Sequence, residues 1–531
     1  MSTGQQRVTT LTILICAIRD RLGQLDPPSG EESWRDPYTA QLLLNTNLQA
    51  GHRERLVLQE KDAALLRPIV EGTWGGGESS LVESAYLFFR ERLGSRSKEE
   101  ILALLSVVLV KLSAVWVTLQ DGDNAHRVFQ TLNAGGKKLK QSDLVRNYFF
   151  LLLGELGNEF YASHWRLLER DHTDRELEEY LVAWTISQGH SGGKDSLFNY
   201  FHKDLLPNEG SPSEILRYGE DLVSTVRLFD WIRRPDDSSL NEACKRSLSD
   251  LRNWGPLPAE GLILWLLRGY AANWLSMSDL HEALEIILSF VARRQLAGFE
   301  PNLHKSIFVA VTRKLHSGRS DESNGTSIVE HLHYLLSIGE EVRTWPSDEL
   351  VKARVRSTPV YTESRAAWVF VLLDRINRQL FDNVKHAPPP LNRAKYSVEH
   401  VLPQNLSERW VEDLREWGVD NPLQLHQGLL HVLGNLTLTP INSELSNLPF
   451  AVKREKLQDD WLRLNSDISA GSTWTRHRID ERSSSLAQKA CASFVPPLNG
   501  AELLAASAKF GASREQAADL SLQVDTDDVE I

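Results

Sequence analysis

Cysteine is scarce: Cys16, Cys244 and Cys491 are the only three among 531 residues. Spaced this widely they build neither a disulfide framework nor a zinc cluster, which fits a reducing cytosol. Positive charge is not in excess. The 59 Lys and Arg residues face 71 Asp and Glu, a net charge of −12. That excludes a histone-like mode of binding polyanions, although an acidic total leaves local basic fields open. No basic-then-apolar signal peptide opens the chain. The most apolar run, 101–117, carries Lys111 and is barely long enough for a bilayer span; it reads as a buried helix followed by a strand. These absences exclude a secreted disulfide scaffold and a membrane partner, and point to a soluble protein of the cytoplasm.

What is present suffices for real cores. Hydrophobic residues make up 41% of the chain, and the length suggests roughly three or four domains. From Lys385 to Lys489, 13 Lys and Arg balance 13 Asp and Glu, so this stretch is neutral while the rest is acidic. The contrast mildly favours a polyanion partner there.

The expected fold is α+β and mostly helical. Gly4-Gln5-Gln6-Arg7 reads as a polar loop leading into a helix, because Leu11, Leu14, Ile15 and Ile18 recur at helical spacing. A loop of this kind normally follows a strand, which suggests a missing front piece. Residues 114–119 read as a strand and 125–132 as a helix ended by Asn133-Ala134-Gly135-Gly136. Ser142-Asp143 reads as the cap of the next helix. We divide the chain into a first domain, 1–150, a helical middle, 151–385, a third domain, 386–495, and an acidic tail, 496–531, comprising a short helix and a disordered end. Ala366 to Leu380 reads as a strong amphipathic helix.

The most informative stretch is Glu399-His400-Val401-Leu402-Pro403-Gln404, followed by Asn435, Asn442 and Asn447. A carboxylate beside a histidine, with amides downstream, is a compact kit for cutting phosphodiesters. The histidine can deprotonate water. The carboxylate and an amide oxygen can hold one hard divalent cation, which polarises the phosphate. Residues 396–401 alternate like a strand, 435–439 form a second strand, and 442–447 turn into a helix through Phe450, Lys453 and Leu457. His-x-x-Pro alone is a weak signal; the joined pattern is specific.

This strand, long loop, strand, helix order resembles the ββα-metal layout of the His-Me-finger (HNH) endonucleases, in the variant where asparagine replaces the last histidine. The resemblance implies that His400 is the general base and Glu399 the acidic metal ligand. It implies that Asn442 is the helix-borne metal ligand, and that Asn435 braces the long loop and helps orient the histidine. Asn447 and Lys453 belong to the same signature. Trp474, Ile479 to Arg482 and Leu486-Ala487 match the family's tail as fold elements.

By composition alone, Gly4 to Arg7 is a solvated loop. Read with Phe129-Gln130-Thr131-Leu132-Asn133, Gly136, Leu139 and Ser142-Asp143-Leu144-Val145-Arg146-Asn147, it resembles the GmrSD-type restriction protein family. That family's first domain is ParB/sulfiredoxin-like and carries an Asp-Gly-Gln-Gln-Arg motif associated with nucleotides; its last is an HNH domain. Here Thr3 stands in place of the aspartate. The resemblance implies a metal-dependent DNA endonuclease of a modification-dependent restriction or antiphage defence system. It further implies Mg²⁺ or another divalent cation, and a nucleoside triphosphate at Gly4, Gln5, Gln6 and Arg7. DNA, modified or not, is the expected partner, and self-association into a homo-oligomer is left open. The alternative is a nucleotide- or DNA-binding regulator whose HNH module no longer cuts.

Overall fold

Apolar residues at helical spacing dominate this chain, and its architecture is correspondingly mostly helical, with one small two-stranded sheet among the described residues. A computed structural model describes residues 3–25, 39–44, 54–58, 60–77, 80–113, 140–190, 193, 197–206, 211–253, 258–319, 325–381, 391–459 and 461–510. The chain divides into two compact units, Met1–Leu144 and Val145–Ile531.

In the first unit, α1 (Thr3–Leu25) packs against α2 (Glu60–Glu71), α3 (Leu81–Gly94) and α4 (Lys98–Ser106). Ile13, Cys16, Leu22, Ile69, Tyr86 and Ile101 lie in their shared core. Buried Arg19 donates to the carbonyls of Ile69 and Val70, satisfying the C-terminal end of α2. Three expectations change here. Gly4 to Arg7 is not a loop: it lies at the start of α1, whose helical pattern runs back through it. The run from 101 is not a buried helix throughout. Ile101 and Leu105 are buried, but Leu102, Val107, Leu109, Val110 and Leu112 are exposed, since one helix face can meet the core while the other cannot. The strand read at 114–119, the helix read at 125–132 and Asn133 lie outside the described residues. Ser142 and Asp143 sit inside the first turn of α5 (Gln141–Leu153) rather than at its cap.

The second unit is built on long helices whose starts are written in the sequence. Ser211 with Glu214 opens α6 (Pro212–Arg233), and Ser276 with Asp279 opens α8 (Met277–Leu296), each as a reciprocal capping box. Between them α7 (Glu260–Ala271) is buried along nearly its whole length. Helix α9 (Ala366–Gln379) is buried on most sides, beyond the single stripe of an amphipathic helix. Arg375 ties it down, donating to Asp250 and to both oxygens of Glu285 on α8. This rigid helix supports β1 (Ser397–His400) and β2 (Leu436–Thr439), which pair antiparallel with Glu399 opposite Thr437 and His400 opposite Leu436. After β2 come α10 (Asn442–Leu445), α11 (Phe450–Gln458) and α12 (Arg476–Ser493). The short helix expected after Pro497 is α13 (Gly500–Phe510); its Phe510 ring stacks on His331 at 4.6 Å. Residues beyond 510 lie outside the described set. No described helix is long and apolar enough to cross a membrane.

Candidate active site

β1 ends at His400, and the chain then peels away from the sheet. Asn435, fully buried, holds that departure. Its carbonyl accepts from Val401 N at 2.9 Å, and its Oδ1 accepts from Leu402 N at 2.7 Å and Trp474 Nε1 at 3.0 Å. Its Nδ2 donates to the carbonyls of Leu402 and Leu430. A side chain that satisfies three backbone groups ties together the two ends of the segment 401–435, which holds two short helices, Glu408–Glu416 and Pro422–Leu429. Arg482 on α12 reinforces the same corner by donating to the carbonyls of Gly434 and Leu436.

Successive residues of a strand face opposite ways, and Glu399 and His400 accordingly find different partners. Glu399 meets Lys453 of α11, whose Nζ lies 2.5 Å from Glu399 Oε1 and 2.9 Å from the His400 carbonyl. Burial pushes the Glu399 carboxyl up and the Lys453 ammonium down, and each charge opposes the other's drift. His400 Nε2 lies 3.2 Å from His431 Nδ1, and its Nδ1 receives the Gln404 amide at 3.4 Å. Burial, then the charges of His431, Lys453 and His426, push His400 down to about 3, so its imidazole is neutral.

Glu399, His400, Gln404, Asn442 and Asn447 line one cleft of about 320 Å³. Asn442 opens α10 and donates its Nδ2 to Val398 O at 2.8 Å and to Ser397 Oγ at 3.0 Å. Its amide nitrogen is thereby committed to β1, and its Oδ1 accepts no hydrogen bond among the described residues. Asn447 is exposed at the rim. Ser446, also on the rim, has φ 32°, a strained value for a residue with a side chain.

Among the described residues, no cluster of three or more His, Cys, Asp and Glu side chains is placed to hold a metal. The cleft instead offers a carboxylate and an amide oxygen. That donor set fits a hard cation that retains most of its water, such as Mg²⁺.

The structure therefore brings Glu399, His400, Asn442 and Asn447 to one cleft and puts Asn435 and Lys453 behind it. Gln6 and Arg7 are exposed on α1, in the other unit. Asp143 lies on α5. Sequence reasoning missed His431 and Tyr361. Tyr361 meets His400 edge-on at 4.6 Å and stacks on His431 at 5.7 Å. Neither residue sits at a distinctive spacing, and only the fold brings 361 and 431 to 400.

Residues 345–489 match the family model described as GmrSD restriction endonucleases, C-terminal domain. Residues 4–150 match the GmrSD restriction endonuclease, N-terminal domain. No curated protein matches the chain. The two matches run in family order and together cover more than half of the residues, so the chain belongs to the GmrSD restriction endonuclease family.

Proposed function

We infer that this chain is a metal-dependent DNA endonuclease with a ββα-metal catalytic domain, serving modification-dependent restriction or antiphage defence in the cytoplasm. The observation that supports it best is the convergence of Glu399, His400 and Asn442 on one cleft beside a two-stranded sheet and helix. His400 takes the proton of the attacking water, and Asn435 keeps the strand end that carries it in place. An imidazole held near 3 is a weak base, and the negative charge of a phosphodiester entering the cleft raises that value. Glu399 and Asn442 would hold a divalent cation, which supplies a Lewis acid for the scissile phosphate. The Lys453 ammonium opposes the rise that burial imposes on the Glu399 carboxyl. In the first unit, exposed Gln6 and Arg7 are proposed to contact the phosphates of a nucleoside triphosphate.

One observation favours a second reading, a DNA-binding regulator that does not cut: the Lys453 ammonium already occupies a Glu399 oxygen that a cation would use. Nicking of supercoiled plasmid with Mg²⁺ or Mn²⁺, wild type against His400→Ala, separates the two. The nuclease reading expects cleavage by wild type and loss of about a hundredfold or more in the variant. Equal cleavage by both rejects His400 as the base. No cleavage by either, with DNA still bound, selects the regulator.

A further inference from the structure

We propose that His431 is a positioning residue: its Nδ1 accepts the Nε2 proton of His400, which turns the His400 Nδ1 lone pair toward the cleft. The inference rests on the nuclease reading and assigns a role to a residue outside the cleft lining. A neutral imidazole has one donor and one acceptor nitrogen, and its partners decide which is which. Gln404, which lines the cleft, directs its amide Nε2 at His400 Nδ1, so that nitrogen carries the lone pair. The proton is then on Nε2, 3.2 Å from His431 Nδ1, which must accept it and carry its own proton on Nε2. The nitrogen left unprotonated is thus the one that faces Gln404 of the cleft lining.

His431 is placed to impose this. Its carbonyl accepts from Val360 N at 2.8 Å and Tyr361 N at 3.4 Å, and Val432 forms a bridge with Pro359. Its ring stacks on Tyr361 at an interplanar angle of 19°, while the Tyr361 edge closes on His400. The backbone bonds fix where the side chain starts, and the stack on Tyr361 favours the ring plane that presents Nδ1 to His400. Burial keeps His431 itself on the low side of its ordinary range, which preserves the lone pair on its Nδ1. Orientation of a base by a second group is a recurrent requirement of proton transfer, because a wrong tautomer presents a proton where a lone pair is needed.

The test uses the full chain with His431→Phe, which keeps the stacking ring and removes the acceptor, and His431→Asn, whose Oδ1 falls close to the position of Nδ1. In plasmid nicking with Mg²⁺, His431→Phe is expected to lower kcat about ten- to hundredfold with KM within about twofold, as a loss of base orientation rather than of binding. His431→Asn is expected to recover most of that loss. Full activity in His431→Phe overturns the proposal, and so does equal impairment of the two variants, which indicates only a structural ring. A second measurement does not depend on cleavage. In the metal-free chain labelled with ¹⁵N-histidine, with His400→Ala to identify the signals, His400 is expected to show a protonated Nε2 in wild type and mixed tautomers in His431→Phe. A protonated Nδ1 in wild type overturns the proposal. If wild type fails to cut, the nuclease reading falls and the nitrogen spectra still decide the tautomer.

Discussion

The ammonium of Lys453 lies 2.5 Å from the carboxylate of Glu399, with both side chains buried between β1 and α11. Two opposite charges out of water are each costly alone and tolerable together. Lys453→Met is therefore expected to lower stability by about 3–5 kcal/mol, because Glu399 is left charged and alone. The double variant Lys453→Met, Glu399→Gln is expected to regain most of it. Urea denaturation of the three chains checks this; a double variant no more stable than the single one contradicts it.

Asn435 is a brace before it is anything chemical. Asn435→Ala orphans Leu402 N, Leu402 O and Leu430 O in the interior. The expected cost is at least about 3 kcal/mol, with loss of nicking at temperatures where the fold survives. A stable Asn435→Ala chain that cuts normally contradicts the bracing role.

Asn442 has a different signature. Its Oδ1 has no hydrogen-bond partner among the described residues, so Asn442→Ala should change the cation requirement more than the fold. Half-maximal cleavage is expected to need about tenfold more Mg²⁺, with a loss of only about 1–2 kcal/mol of stability from the two hydrogen bonds to β1. An unaltered Mg²⁺ titration excludes Asn442 as a ligand.

Arg7 sits exposed on the first turn of α1. If Gln6 and Arg7 serve a nucleotide, Arg7→Ala should weaken nucleotide binding about tenfold or more, since a guanidinium–phosphate pair is charge-assisted. Calorimetric titration reads this directly, and unchanged affinity removes the role.

His304 gives the second unit an acid sensitivity remote from the cleft. It is buried beside Arg294, whose Nε donates to His304 Nε2 at 3.1 Å, and burial followed by that charge pushes it down to about 4. The unfolded chain therefore binds the extra proton first. Its stabilising effect is full above the ordinary histidine range and is lost as pH falls toward 4. His331, also pushed down to about 4, adds to the same trend. His304→Gln is expected to shrink the stability difference between about pH 7 and about pH 4.5 by about 2 kcal/mol. A variant with the wild-type pH slope excludes His304 as a contributor.

Much of the cleft was legible in the sequence because its parts are local. Glu399 and His400 are neighbours, Asn435 immediately precedes β2, and Asn442 stands at the start of a helix, so strand alternation and helix spacing place each one. The helical reading failed at Gly4 to Arg7, where a glycine and polar side chains suggested a loop. Composition cannot weigh the cooperativity of a long helix that extends through such residues.

The chain by itself determined the residue kit and its order: an imidazole, a carboxylate and amides, and the elements that carry them. Only the tertiary structure decided that Lys453 neutralises Glu399, that Asn435 ties Leu402 to Leu430, and that His431 and Tyr361 close on His400. Those partners come from segments tens of residues apart. Spacing along a chain fixes neighbours on one element, whereas the packing of separate elements fixes a proton's tautomer and a buried charge's partner.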